Sequence, residues 1–259
     1  MFSARKIKKQ SRELLSNNFI LQIGVILTLF TCVTAISLLA SSVITLIYGL
    51  VPDAVFYVIQ TFFICFVAIM TVPLIYGLCV FEYNLIITGK GNIKDLFYAF
   101  SSYYTINRSF FLAFALLWRA VICFFPATCI YSEIILYKLS RSMLFFPVNI
   151  YGFDITYTFI CVLFIILIII GWAIFSKFFT AIFVSLANEN TPVSKCFSLA
   201  SVYNHGYKKK LVGITLSFVP LIVLSIFTMG IVFILYAAPI MLVTYFNFAK
   251  NCYDFRKNQ

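Results

Sequence analysis

Residues 14–52 read LLSNNFILQIGVILTLFTCVTAISLLASSVITLIYGLVP, a run without one charged side chain. It is about twice the roughly 20 apolar residues that cross a bilayer's hydrocarbon layer. A second charge-free run extends from Leu211 to Ala249. Backbone polar groups in lipid must be satisfied within the segment, and the apolar residues here are continuous rather than alternating. The spans are therefore expected to be helices and not barrel strands, and the expected fold class is all-α.

The whole chain agrees with this reading. Of 259 residues, 63% are apolar and 10% charged, against about 45–50% and about 25% in soluble domains. The first run follows basic residues as a signal peptide does. It is far longer than the usual apolar region of about 7–15 residues, and Leu38-Leu39-Ala40 is a poor cleavage signal, so a retained helix is expected. Phe, Ile, Asn and Lys are the residues an AT-rich coding sequence favours, so 31 Phe do not indicate a ligand-stacking device. The eight cysteines (Cys32, Cys65, Cys79, Cys123, Cys129, Cys161, Cys196 and Cys252) are scattered, without a Cys-x-x-Cys pair. Buried free cysteines serve as small hydrophobes, and neither a disulfide framework nor a metal site is expected.

Charges and turn residues divide the chain into six spans near Phe19–Gly49, Ala54–Thr88, Ser109–Ser132, Ile155–Ala187, Leu211–Phe227 and Ile231–Ala249. The last two are separated only by Thr228-Met229-Gly230, where Gly230 is the residue type that ends a helix. One long re-entrant or tilted helix is the alternative. Lys and Arg are retained on the cytoplasmic side of short loops. One set of segments holds Arg5, Lys6, Lys8, Lys9, Arg12, Lys90, Lys94, Arg108, Lys195, Lys208, Lys209, Lys210, Lys250, Arg256 and Lys257; the opposite set holds Lys138 and Arg141. This asymmetry predicts a multi-pass protein of a plasma membrane with both termini cytoplasmic. The excess positive charge, +11, is then explained by topology and by attraction to anionic lipid headgroups, with Lys208, Lys209 and Lys210 as the headgroup contacts. Nucleic acid is not needed as a partner.

The basic segments carry short amphipathic stretches. Ile93, Leu96, Phe97 and Phe100 follow helical spacing, with Asn92 placed as the cap. Val193, Cys196, Phe197 and Ala200 repeat it, with Thr191 as N-cap and Pro192 at the first helical position. Ile7, Ser11, Leu14 and Leu15 give a looser version. An offset of 100 residues lays Phe97 on Phe197, Ser101 on Ser201, Tyr103 on Tyr203 and Arg108 on Lys208. A tandem unit of one interfacial helix and two spans, used three times, is one reading; ordinary basic loops on a membrane surface are the other. Residues 1–259 read as a single membrane domain.

Catalytic signatures are absent: there is no Gly-rich phosphate loop, no His-Glu-x-x-His, no Gly-x-Ser-x-Gly and no close carboxylate pair within a span. The one histidine, His205, sits beside Gly206 in a basic segment and reads as a solvated side chain. No cofactor is implied. The informative residues are charges inside apolar sequence, namely Glu82, Arg119 and Lys177. At about 1.5 Å per residue, Arg119 and Lys177 fall roughly 16 Å from the cytoplasmic boundary, with Glu82 shallower. Intramembrane charges cost about 2.5–3.5 kcal/mol on insertion scales and face an interior or a wet cavity. The three form a candidate polar pocket. A structural Arg119–Glu82 tie is the alternative, as are interfacial positions for Lys177 and Glu82.

Asn190-Thr191-Pro192, Ser201, Gly206 with Lys208, Leu216-Ser217-Phe218, Thr228 with Gly230-Ile231, and Pro239 recur as a pattern. Asp95-Leu96-Phe97 with Phe100, and Trp118 with Pro126, extend it upstream. On these residues the chain resembles an uncharacterised bacterial membrane family, domain of unknown function 975. It departs from that pattern at Ala127, Val219-Pro220 and Ile240. The resemblance implies a six-helix bacterial membrane protein, similar to the membrane domains ahead of some glycerophosphodiester phosphodiesterases. It implies no established activity, and no phosphodiesterase domain is present to carry one. The expected function is non-enzymatic: a scaffold, transporter-accessory or immunity-type module working with a membrane-protein partner or as a homo-oligomer. The alternative is a small transporter or lipid-handling protein holding an anionic group on Arg119.

Overall fold

The computed structural model describes residues 3–48, 50–140, 149–150, 153–228 and 230–257. Gly49, Arg141 and Met229, on which parts of the topology reading fall, lie outside the described residues. The described chain is helical, and among the described residues five helical stretches are long and apolar enough to cross a membrane. They lie within α1 (Ala4–Ile47), α2 (Asp53–Thr88), α3 (Tyr103–Ser140), the α4–α5 pair (Ile155–Phe175 and Phe179–Ala187, joined by a 3-10 turn) and α9 (Ala238–Lys257, entered through a π turn). A two-residue antiparallel ladder, Asn149–Ile150 with Phe153–Asp154, precedes α4.

Among the described residues four shorter helices pack with them: a 3-10 helix at Ile93–Ser101, α6 (Val193–Tyr203), and the pair α7 (Lys208–Leu216) and α8 (Val219–Phe227). Asn92 caps the 3-10 helix as expected. Its side chain accepts from Lys94 N at 3.0 Å, while the Asp95 carboxylate accepts from Asn92 N at 3.1 Å, a reciprocal capping box. The tighter pitch changes which face is buried. Positions three apart align on a 3-10 helix, so Leu96 and Ala99 share a buried side while Phe97 and Phe100 share an exposed one; Ile93, at the first residue of the helix, is exposed as well. The expected single face through Ile93, Leu96, Phe97 and Phe100 is corrected accordingly. In α6, an ordinary helix, Cys196, Phe197 and Ala200 are buried. Its N-cap is Pro192, with no side-chain cap. Thr191 does not cap it; the Thr191 carbonyl is engaged elsewhere, by Arg108.

Two further expectations are revised. The apolar run Leu211–Phe227 is interrupted at Ser217-Phe218, so it is divided between two nine-residue helices rather than forming one continuous helix. Pro220 accounts for the break, since it cannot donate within a continuous helix and crowds the preceding turn. The last helix continues past Ala249 to Lys257. Gly230 does turn the chain as expected, with φ +84° and its N–H donating to Ser225 O at 2.8 Å.

The buried core collects at one end of the bundle. Ile7, Ser11 and Leu15 of α1, the expected loose amphipathic stretch, are buried there. They face α9, and Asn247 Nδ2 donates to Ser11 Oγ at 3.2 Å and to Ile7 O at 3.5 Å. The end of α2 joins them where Lys250 Nζ donates to Ile86 O at 3.1 Å. The end of α5 approaches through Asn188 and Tyr253, 3.5 Å apart, and the start of α7 through the Tyr207–Phe255 ring pair. The backbone of the 3-10 helix presses so closely on α2 that a Cβ at Gly77 would overlap the Leu96 carbonyl.

Candidate functional site

Arg119 lies on α3, half-buried, where α6 crosses it. Its guanidinium sits 3.7 Å from the centre of the Phe197 ring and 5.6 Å from that of Phe178. Attraction to an aromatic face contributes about 0.5–2 kcal/mol. One hydrogen bond, Nη1 to Ala115 O at 2.8 Å, uses a single donor of the fork. The group borders an open groove of about 510 Å³ between α3 and the start of α6, running from Tyr104 past Phe111 and Phe114 to Arg119 and closed by Pro192 and Phe197. No Asp or Glu lines it.

Lys177 is near. Its ammonium lies 4.9 Å from the centre of the Phe178 ring, so Arg119 and Lys177 flank one aromatic side chain. Glu82 is not with them. It is fully buried on α2, and Gln22 Nε2 of α1 donates to its Oε1. Glu82 Oε2 and Gln22 Oε1 are buried without a hydrogen-bond partner. The expected meeting of Glu82, Arg119 and Lys177 is thus reduced to the two cations. Gln22 stands where an Arg119 tie to Glu82 was expected, because α1 and not α3 packs on that face of α2.

Arg108, which the sequence offered only as a topological charge, does more. It is buried at the start of α3 and gathers the end of α5 and the segment after it. Nη2 donates to Ser185 O at 2.8 Å, Ser185 Oγ at 3.0 Å and Asn188 O at 3.2 Å; Nη1 donates to Thr191 O at 3.0 Å and also to Glu189 O. The final carbonyls of a helix lack intrahelical donors, and a planar guanidinium satisfies several at once. Tyr104 adds a bond from its hydroxyl to Glu189 O at 2.7 Å, and Tyr98 one to Glu189 Oε1 at 2.8 Å. Burial first, and then the Glu189 carboxylate, push the Tyr98 phenol above its ordinary range, so it remains a donor. This clamp forms the back wall of the groove. Its acceptors lie about 80 residues away in sequence, so no local signal announced it.

Lys208 and Lys209 are exposed at the start of α7, and the Lys210 ammonium lies 5.2 Å from the Tyr207 ring centre. His205 is exposed. The groove is open, apolar along its length and cationic at Arg119, an arrangement that can hold an anionic group with an apolar tail. No family, curated protein or solved structure matches this chain.

Proposed function

We propose that the chain is a non-enzymatic multi-pass membrane protein that holds the anionic group of a lipid or amphiphilic solute on Arg119. One observation carries this reading: an Arg fork with a single protein acceptor opens on an apolar groove lined by no carboxylate. Lys177, across the Phe178 ring, adds a second positive charge. A planar donor pair grips a carboxylate or phosphate in a way that a lone ammonium does not.

Six spans fit this reading. The start of α1 and the end of α9 share one end of the bundle, so an even number of crossings joins them, and α7 with α8 supplies the crossing beyond the five long stretches. The basic segments gather at that same end, which supports a cytoplasmic face with both termini, in keeping with the resemblance to domain of unknown function 975. The 3-10 helix, α6 and the first turns of α1 then serve as three helices at the lipid headgroups, each ahead of two spans.

The test is binding of a single-chain alkyl phosphate and a fatty acid, against an uncharged alkyl glycoside, to the purified chain. Arg119→Leu should melt within a few degrees of the native protein while anion affinity falls about 10-fold or more, the loss expected for one charge-assisted bond. Arg119→Lys should retain part of the affinity. Undiminished binding in Arg119→Leu, or equal binding of the glycoside, sinks the proposal. Cysteine probes at Asp53, Asn92 and His205 check the topology: only Asp53 should label from outside the cell. A scaffold, transporter-accessory or immunity-type role would add a stoichiometric partner or a second copy on purification in mild detergent.

A further inference from the structure

On another flank of the bundle, α1, α8 and the start of α9, with Tyr236 of the π turn before it, enclose a groove of about 310 Å³. Lys8 and Arg12, one helical turn apart on α1, stand at one part of it; Pro220, Leu221, Leu224 and Ile240 line the rest. Lys8 is held in place there. Its ammonium donates to Ser217 Oγ and lies 4.8 Å from the centre of the Phe218 ring, at the interruption between α7 and α8. A hydroxyl and a ring orient the cation without neutralising it.

No carboxylate lines the groove. Glu13 faces away and meets Lys9 instead, 3.9 Å distant on an exposed surface. Two positive charges are thus kept side by side with nothing opposite them, which favours an anion between them. The apolar lining continues onto exposed surface at Leu224 and Phe227, a path suited to a hydrocarbon chain and of no use to a small hydrophilic anion.

We infer that this groove is a binding site for one anionic phospholipid, with its phosphate on Lys8 and Arg12 and an acyl chain laid along Leu221, Leu224 and Ile240. The site is separate from the Arg119 groove and does not depend on it. The lipid adds to a junction where Ile7 and Leu15 of α1 already pack with Leu211, Ile214 and Phe218 of the broken helix.

The full chain in detergent micelles is titrated with phosphatidylglycerol or phosphatidylcholine, and bound lipids are counted by native mass spectrometry. Native protein should retain one phosphatidylglycerol in preference to phosphatidylcholine. Lys8→Gln with Arg12→Gln should weaken that lipid about 30-fold, from roughly one surface-charge increment per residue. Arg12→Gln alone, at an exposed side chain, should give a partial loss and keeps the test informative if the double variant folds poorly. Lys6→Gln with Lys9→Gln removes the same charge from exposed positions off the groove and should leave the lipid bound. Leu224→Asn should weaken it with the charges intact. Equal losses in the two double variants would show general surface attraction and overturn the site. So would equal retention of phosphatidylcholine, or displacement by millimolar inorganic phosphate, which would mean that the anion alone is read. Arg119→Leu should leave this lipid in place, so failure of either proposal is visible without the other.

Discussion

The two ends of this bundle are built on different terms. At the end where α1 begins and α9 finishes, buried polar groups bond to one another: Ser11 with Asn247, Gln22 with one oxygen of Glu82, Arg108 with carbonyls at the end of α5 and just after it. Toward the other end the helices present large apolar side chains outward, among them Leu46, Phe62, Phe125 and Phe159. Of an apolar 18-residue segment within Phe233–Lys257, 61% is buried in protein, and of one within Thr158–Ala187 only 6%. In water the second region would be an aggregation surface; in lipid it needs no protein cover, since acyl chains are as apolar as leucine. Specific contacts are therefore concentrated at the packed end, where α1 begins and α9 finishes.

Substitutions at the packed end should hurt, and matched ones elsewhere should not. The largest effect is expected for Arg108→Met, which strips the donor from several buried carbonyls at about 1–3 kcal/mol each. Thermal unfolding in detergent should drop steeply, and a small drop would mean that the clamp is replaceable by water. Next comes Gly77→Ala, for which about 3 kcal/mol is expected because the Leu96 backbone has no rotamer by which to yield. Gly24→Ala is its contrast: nothing lies within 4 Å of the added carbon, so the same change in α1 should be neutral or stabilising by about 0.5–1 kcal/mol. Should both glycines respond alike, the packed end is less tight than described. Gln22→Leu leaves buried Glu82 without its donor, at a cost of about 2 kcal/mol. Adding Arg119→Leu should change that figure by less than about 0.5 kcal/mol, because the two sites share no partner. The smallest effect is expected for Phe62→Leu, within about 0.5 kcal/mol, as for surface positions generally.

Local signals were readable and long-range ones were not. Asn92 announced a helix start, and Gly230 announced a turn. Pro220 carried the information that Leu211–Phe227 is interrupted, although hydropathy alone runs straight through it. By contrast, Glu82 and Gln22 are 60 residues apart, and Arg108 and Ser185 are 77 apart. Charge within apolar sequence marked Glu82 and Arg119 as worth attention, but depth along a span does not say which neighbour a side chain meets. Rotation about the helix axis decides that, and it depends on packing by all the other helices. Arg119 and Lys177 do come near one another, at a phenylalanine that no charge-pairing argument would select.

The pairing of α1 with α9 also sets a schedule. Ser11 waits for Asn247, 236 residues later, which at about 5–20 residues per second is of the order of 10–50 s of synthesis. During that interval Ile7, Ser11 and Leu15 lack the α9 face that buries them and stay open to chaperones and proteases. A ribosome stalled before α9 would leave every earlier helix inserted but the bundle unlatched, a state that quality control can recognise by the exposed face of α1.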